Sequence, residues 1–264
     1  MEEEYVKCGE YLNLTRSDEG WTVGRYTNRP TEVIIPSHFE GLPITKIDRY
    51  AFCRAEELER VFIPDTVKEI GLEGFGYCRR LKSVKMSDNI EVIGKKAFYL
   101  CDKMTDFKMS KRIKSIGDAA FYACPIHDLI LPEGLIEIGD DAFLSCRRWE
   151  EVVIPDSVER IGSNAFSACL FSRLTIGNGL KIIEKRTFEN YQSLESVVIG
   201  KSVQRIEEDA FGFCKKLNNA IFLEKEGWSV LGEKGTNAIS PEILSDPQLA
   251  SELLRKGKVL TRAC

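Results

Sequence analysis

Histidine is almost missing from this chain: His38 and His127 are the only two in 264 residues. They stand too far apart in the sequence for a local metal pair, and neither sits in a Ser/His/Asp or Cys/His spacing that supports nucleophilic catalysis. No Cys-x-x-Cys pair occurs, so the usual zinc framework is excluded. Long apolar runs are also missing. None exceeds six residues, and stretches such as Ala220–Leu223 are far short of a bilayer span. A phosphate loop is excluded as well: the glycines of Gly71-Leu-Glu-Gly74-Phe-Gly76 are wrongly spaced, and no Gly-Lys-Ser/Thr is present. Charge of one sign is not in excess, since 37 Lys and Arg against 41 Asp and Glu leave −4. The chain as a whole therefore has no electrostatic reason to seek nucleic acid or an anionic membrane. With 43% hydrophobic and 30% charged residues, it has an ordinary globular balance.

What is present is a repeat. Phe52, Phe75, Phe98, Phe121, Phe143, Phe166, Phe188 and Phe211 follow one another at steps of 22 or 23 residues. Five positions before each stands an isoleucine, from Ile47 to Ile206, without exception. The residue before the Phe is Ala in six units, with Gly74 and Thr187 as the others, so that position is small. After each Phe comes an apolar pair separated by one residue, such as Val61/Ile63, Val152/Ile154 and Val197/Ile199. This alternation marks a strand with one buried face. Pro, Ser or Gly then turns the chain. A second apolar pair three apart leads to the next Ala-Phe corner, as in Val67/Ile70 and Ile113/Ile116. A unit of this length cannot bury its own apolar face and must stack on its neighbours. The expected architecture is a right-handed β-rich solenoid of the α/β leucine-rich repeat type. Its first strands should form one main parallel sheet, and at about 4.8 Å per strand eight units extend roughly 40 Å.

Units such as Leu194-Glu-Ser-Val-Val-Ile199 followed by Ser202-Val-Gln-Arg-Ile206-Glu-Glu-Asp-Ala-Phe211-Gly-Phe-Cys214 resemble BspA-type leucine-rich repeats. The resemblance runs from about Thr31 to Leu223. Departures are Ala55 and Tyr191 where Cys is usual, and Glu184 and Glu207 where Gly follows the isoleucine. The resemblance implies a bacterial surface protein associated with adhesion to host matrix or to other cells.

Open solenoid ends expose core and strand edges, so caps are expected. Residues 1–30 should form an N-terminal capping hairpin, with strands at Tyr11–Thr15 and Trp21–Tyr26 around the Ser17–Gly20 turn. The repeat region is assigned to residues 31–223, about eight repeats, and the C-terminal cap to 224–264. In that cap, Trp228–Leu231 should add a strand and Val259–Arg262 another. Between them a helix is expected, with Ser245 or Asp246 as N-cap and Gly257 as stop. Its Leu249, Ala250, Leu253 and Leu254 fall on one face suited to covering the last repeat.

Six of the nine cysteines, Cys78, Cys101, Cys124, Cys146, Cys169 and Cys214, stand three residues after the repeat Phe and share one column. Neighbours stacked about 4.8 Å apart with parallel Cβ vectors suit a disulfide poorly. The expectation is a ladder of buried free thiols, with Cys8, Cys53 and Cys264 outside it and more reactive.

Nothing supports a catalytic, cofactor or metal site. Paired acids such as Asp140/Asp141 lie in repeat turns, and the basic cluster Lys108, Lys111, Arg112 and Lys114 lacks interleaved aromatics. Function should then lie on residues that the repeat does not dictate. The outward positions between the apolar pairs are Phe62, Lys85, Lys108, Ile130, Val153, Thr175, Val198 and Ile221, five of them apolar. A parallel column two residues earlier runs Arg60, Ser83, Asp106, Asp128, Glu151, Arg173, Ser196 and Asn219. Exposed apolar columns either mark interaction surfaces or reflect good strand formers. The expected partner face comprises Arg60, Phe62, Lys85, Lys108, Ile130, Val153 and Ile221. The expected function is a non-catalytic protein-binding module, adhesin-like or surface-interacting, with an intracellular scaffold using the same face as the alternative. Its partner should be a protein, without nucleic acid or membrane insertion, and the chain a monomer or weak end-to-end oligomer. The resemblance places it at the cell surface. The acidic start Met1-Glu-Glu-Glu4 carries no visible secretory signal, and unpaired cysteines are compatible with cytoplasm.

Overall fold

The computed structural model describes residues 6–127, 129–146, 149–232 and 235–263, which wind into a β-solenoid of about nine turns. Each turn carries up to two short strands. The second strands, Leu42–Ile47, Glu69–Ile70, Val92–Ile93, Ser115–Ile116, Glu137–Ile138 and Arg160–Ile161, pair in parallel. Their register sets Ile47, Ile70, Ile93, Ile116, Ile138 and Ile161 side by side. The column that recurs in the sequence is thus one buried wall of the core.

The first strands form the opposite parallel face in two ladders. Glu32–Ile34, Arg60–Phe62, Ser83–Lys85 and Asp106–Phe107 make one. Glu151–Ile154, Arg173–Ile176, Ser196–Ile199 and Asn219–Phe222 make the other. No first strand is assigned to the described residues of the intervening turn, which keeps only its second strand, Glu137–Ile138. That turn is a short one, with 22 residues from Phe121 to Phe143, and it opens on Pro125, which has no backbone N–H. Trp149 from the following turn donates its indole N–H to the Ile126 carbonyl at 2.9 Å.

Between the two walls the phenylalanines stack as a continuous, fully buried column. The corner backbone is bonded between turns as well: Phe52, Phe75 and Phe98 N–H donate to the Gly74, Ala97 and Ala120 carbonyls. Every corner holds two residues at positive φ, two before and two after the Phe, from Tyr50 and Arg54 to Asp209 and Phe213. None of these sixteen is Val, Ile or Thr, whose branched Cβ fits the left-handed region worst.

The second-strand ladder breaks once, between Ile161 and Ile183. Ile182–Ile183 pairs instead with Arg205–Ile206 in a separate sheet. The break coincides with a change in the column that follows the isoleucines. A Cβ added at Gly117 would lie 2.5 Å from Lys95 N, and one at Gly162 2.5 Å from Asp140 N. Glycine therefore lets successive turns close up. The next member is Glu184, which brings a Cβ to that approach. The seam shows in the core too: the Phe166 and Phe188 centroids are 5.8 Å apart, against 4.9–5.3 Å for the other pairs. Pairing resumes where Glu207 follows Glu184, with Glu207 N–H on the Ile183 carbonyl at 2.9 Å.

Both ends are capped. Leu12–Ser17 and Gly20–Val23 form the hairpin, whose second strand pairs in parallel with Leu42–Ile47. At the other end, Leu260–Arg262 inserts antiparallel between Arg205–Ile206 and Trp228–Gly232. The helix Pro247–Arg255 is capped by Asp246, whose carboxylate accepts from the Gln248 and Leu249 N–H groups. Gly257 ends it at positive φ. Two details depart from the sequence reading. A further short helix, Pro241–Ser245, precedes this one. The inward face is made by Ala250, Ser251 and Leu254, whereas Leu249 is exposed.

Candidate binding face

The cysteine column is a buried ladder of free thiols, with chemistry that the sequence did not disclose. Each thiol donates to the carbonyl of the preceding turn's Phe: Cys78 to Phe52, Cys101 to Phe75, Cys124 to Phe98, Cys146 to Phe121, Cys169 to Phe143 and Cys214 to Phe188, at 2.9–3.2 Å. Burial pushes the Cys78, Cys169 and Cys214 thiols up to about 12. These three thiols are therefore protonated and inert. Where Tyr191 replaces the cysteine, its hydroxyl is buried without a partner. Cys8 and Cys53 lie outside the column and are half-buried. Burial raises both, and the Cys53 thiol also donates toward Glu73 at 3.6 Å, so neither is activated. Cys264 and Asp128 lie outside the described residues.

The structure does not bring the seven face residues into one ladder: Arg60 lies in the neighbouring column, Lys108 and Ile130 lie outside the strands, and the others divide between two ladders. Arg60, Phe62 and Lys85 belong to the first. Arg60 is held by Glu32 of the preceding strand at 2.6 Å, and the Lys85 ammonium lies 5.5 Å from the centre of the half-buried Phe62 ring. Lys108 is exposed just beyond Asp106–Phe107. Ile130 stands in the turn that lacks a first strand and is 79% exposed. On the second ladder Val153, Thr175, Val198 and Ile221 are in register, with Val153 half exposed. The stripe has a member that the sequence reading did not select: Ile34, 57% exposed and in register with Phe62. Its signal was the alternation Val33-Ile34-Ile35, in which Val33 and Ile35 are buried.

Charges on the solenoid flanks pair across turns. Lys111 meets Asp88 at 3.0 Å, Lys114 meets Glu91 at 2.7 Å, and Arg112 reaches Asn89. Two of the four cations of the basic cluster, Lys111 and Lys114, are therefore neutralised. A second feature escaped the sequence reading: Tyr77, Tyr99 and Tyr122 stack along the corner edge at 5.1 and 4.8 Å, with Arg54 over Tyr77 and Lys96 over Tyr99. Its signal was tyrosine recurring at nearly the repeat period. Tyr99 and Tyr122 are stacked on each other and Tyr77 is tilted against Tyr99, so the three rings form a side-chain ladder along this edge. Among the described residues no group of three or more His, Cys, Asp or Glu could hold a metal ion, and no helix is long and apolar enough to cross a membrane.

A leucine-rich repeat solenoid with a varied outward sheet is the class that these features define. Residues 26–149 and 114–230 match the BspA type leucine rich repeat region in six copies, and the chain belongs to that family. Solved structures share the fold. A leucine-rich cell surface protein from Faecalibacterium prausnitzii is 21% identical over 83% of this chain and 88% of its own, with a TM-score of 0.53. A leucine-rich repeat protein of T. pallidum is 24% identical over 80% and 90%, with a TM-score of 0.55. One from Bacteroides ovatus is 22% identical over 83% of this chain and 53% of its own, with a TM-score of 0.62. No curated protein matches the chain.

Proposed function

We propose that this chain is a protein-binding module of a cell surface, adhesin-like, which grips its partner with the outward face of its first strands. The observation that carries this is the line Val153, Thr175, Val198 and Ile221, set side by side on a rigid sheet and continued by Ile130. Exposed apolar surface held in one line costs solubility and has no part in the core, which supports an interaction role. Lys85 and Lys108 give the other half of the face positive charge, so a partner with a mixed acidic and apolar strip fits it. The surface setting rests on the family and on the F. prausnitzii protein, described as a leucine-rich cell surface protein.

The test is affinity capture from host extracellular matrix and, separately, from the source cell's lysate. The control carries Lys108→Ser, Ile130→Ser and Val153→Ser. A matrix protein retained by the native chain and lost by the control supports the proposal. Equal capture by both proteins removes the site from this face. Capture confined to cytosolic proteins replaces the adhesin with an intracellular scaffold.

A further inference from the structure

At the C-terminal end of the solenoid the cross-turn pairing of charges stops. Phe213, Lys215, Arg255 and Lys256 line an open hollow of about 410 Å³, formed where the last Ala-Phe corner meets the end of helix Pro247–Arg255. Lys216 and Lys258 adjoin it in the chain. All five cations are exposed, and none of them makes an ion pair among the described residues, whereas Lys46, Lys95, Lys114, Arg160 and Lys185 are each paired with a neighbouring turn. Asp209, the one carboxylate lining the hollow, is half-buried and packs against Gly257 and Gly212. In the middle stands Phe213, 62% exposed and the one exposed phenylalanine among the described residues. Its backbone is fixed at φ +60 by the corner geometry, so the ring is held outward by the fold.

We propose that this corner is a docking point for an anionic phospholipid surface, with Phe213 entering the headgroup layer and the five cations contacting lipid phosphates and carboxylates. The lining favours a lipid surface over a peptide, and most of the corner backbone is already engaged. The Gly212, Cys214 and Lys215 N–H groups are already bonded to the Asp209, Phe211 and Phe213 carbonyls, and the Gly212 carbonyl accepts from Asn190. The Phe211 and Phe213 N–H groups, whose counterparts at Phe188 and Asn190 donate to the next turn, make no such bond here, but two isolated donors are not the ladder that an extended peptide pairs with. What the hollow offers is dense positive charge around a single apolar side chain. That recognises a surface with negative charge outside and apolar depth beneath, without reading a sequence. The net charge of −4 hides this, because a sum over the chain averages a local cluster against acids elsewhere.

Cosedimentation with large vesicles tests it, using phosphatidylcholine alone and phosphatidylcholine with about 30 mol% phosphatidylserine, at about 0.1 M salt. The native chain should bind the serine-containing vesicles and leave the neutral ones. Each cation near such a surface is worth about fivefold in partitioning, so Arg255→Glu with Lys256→Glu should remove binding. Phe213→Ser should lower it several-fold while leaving the urea midpoint unchanged, since the ring is exposed. Lys108→Ser, on the first-strand face, should bind like the native chain, which separates this inference from the proposed partner face. Equal binding to both vesicle types, no binding to either, or undiminished binding by the Phe213 and Arg255/Lys256 variants overturns the proposal. So does capture of a soluble polyglutamate peptide by a chain that ignores vesicles, which would make the corner an acidic-polypeptide site.

Discussion

Raising the pH should dismantle this solenoid through its cysteine column. The thiols of Cys78, Cys169 and Cys214 move from an ordinary 9.0 to about 12 on folding, because burial disfavours the thiolate. Burial also raises Cys101 and Cys146 well above 9.0, and Tyr191 well above 10.0. The native chain thus keeps protons that the unfolded chain releases. The stability tied to these groups is whole below pH 9 and is lost as pH climbs from 9 toward 12. Each thiol loses about 1.4 kcal/mol per pH unit in that window. By pH 10 Cys78, Cys169 and Cys214 together remove about 4 kcal/mol, a large share of the roughly 5–15 kcal/mol that holds a domain together. The exposed ion pairs that weaken as lysines deprotonate are worth too little to imitate this. Urea midpoints followed by far-ultraviolet circular dichroism, in reductant, at pH 7, 8, 9 and 10 should be level to pH 8 and then drop steeply. Cys214→Ala should lower the midpoint at pH 7 yet shrink the drop by one thiol's share. A midpoint that is the same at pH 7 and pH 10, or an equal drop in the variant, would refute the buried protonated ladder.

Gly117→Ala places a Cβ 2.5–2.9 Å from the Lys95 and Gly94 backbone, and should cost about 1–3 kcal/mol in urea unfolding, because no flexible side chain is there to yield. Ala168 is exposed at φ +57, so Ala168→Gly should stabilise by up to about 1 kcal/mol and Ala168→Val should destabilise by about 1–2 kcal/mol. The opposite order would show that the corner relaxes out of the left-handed region. Phe121→Ala should cost about 3–5 kcal/mol, while Lys85→Ala and Ile130→Ser should stay within about 0.5 kcal/mol, and equal effects in the same assay would sink the register.

The repeat was legible because stacking turns a private preference into a public one. A buried isoleucine or phenylalanine at one turn forces the same at the next, so Ile47 to Ile206 and Phe52 to Phe211 appear in the sequence as a period. The capping helix was legible for a local reason, since Asp246, Pro247 and Gly257 each act within one turn of the chain. What did not show was anything that depends on how two successive turns meet. The thiol acceptors are backbone carbonyls one turn away, which no side chain announces. The seam at Ile161 and Ile183 depends on Gly162 being followed in its column by Glu184. That substitution is visible in the sequence, but its consequence appears only when the 2.5 Å approach is known.

The outward columns resist reading for the converse reason. Their side chains touch solvent, so stacking places no demand on them, and Ile130, Lys108 and Thr175 can occupy one column without disturbing the wall behind. A period finds what the fold requires and passes over what the fold leaves free. The freedom has a limit that makes the exposed residues informative. A strand needs β-branched residues only as good formers, and Lys85 and Lys108 show that the first-strand face tolerates charge at this position. Ile130 stands where no strand is formed, so strand propensity does not account for an isoleucine that is 79% exposed. Of all the face residues it is therefore the one whose identity points most directly to a partner. If Ile130→Lys leaves capture of the matrix protein unchanged, the argument from exposed apolar residues fails for the whole stripe.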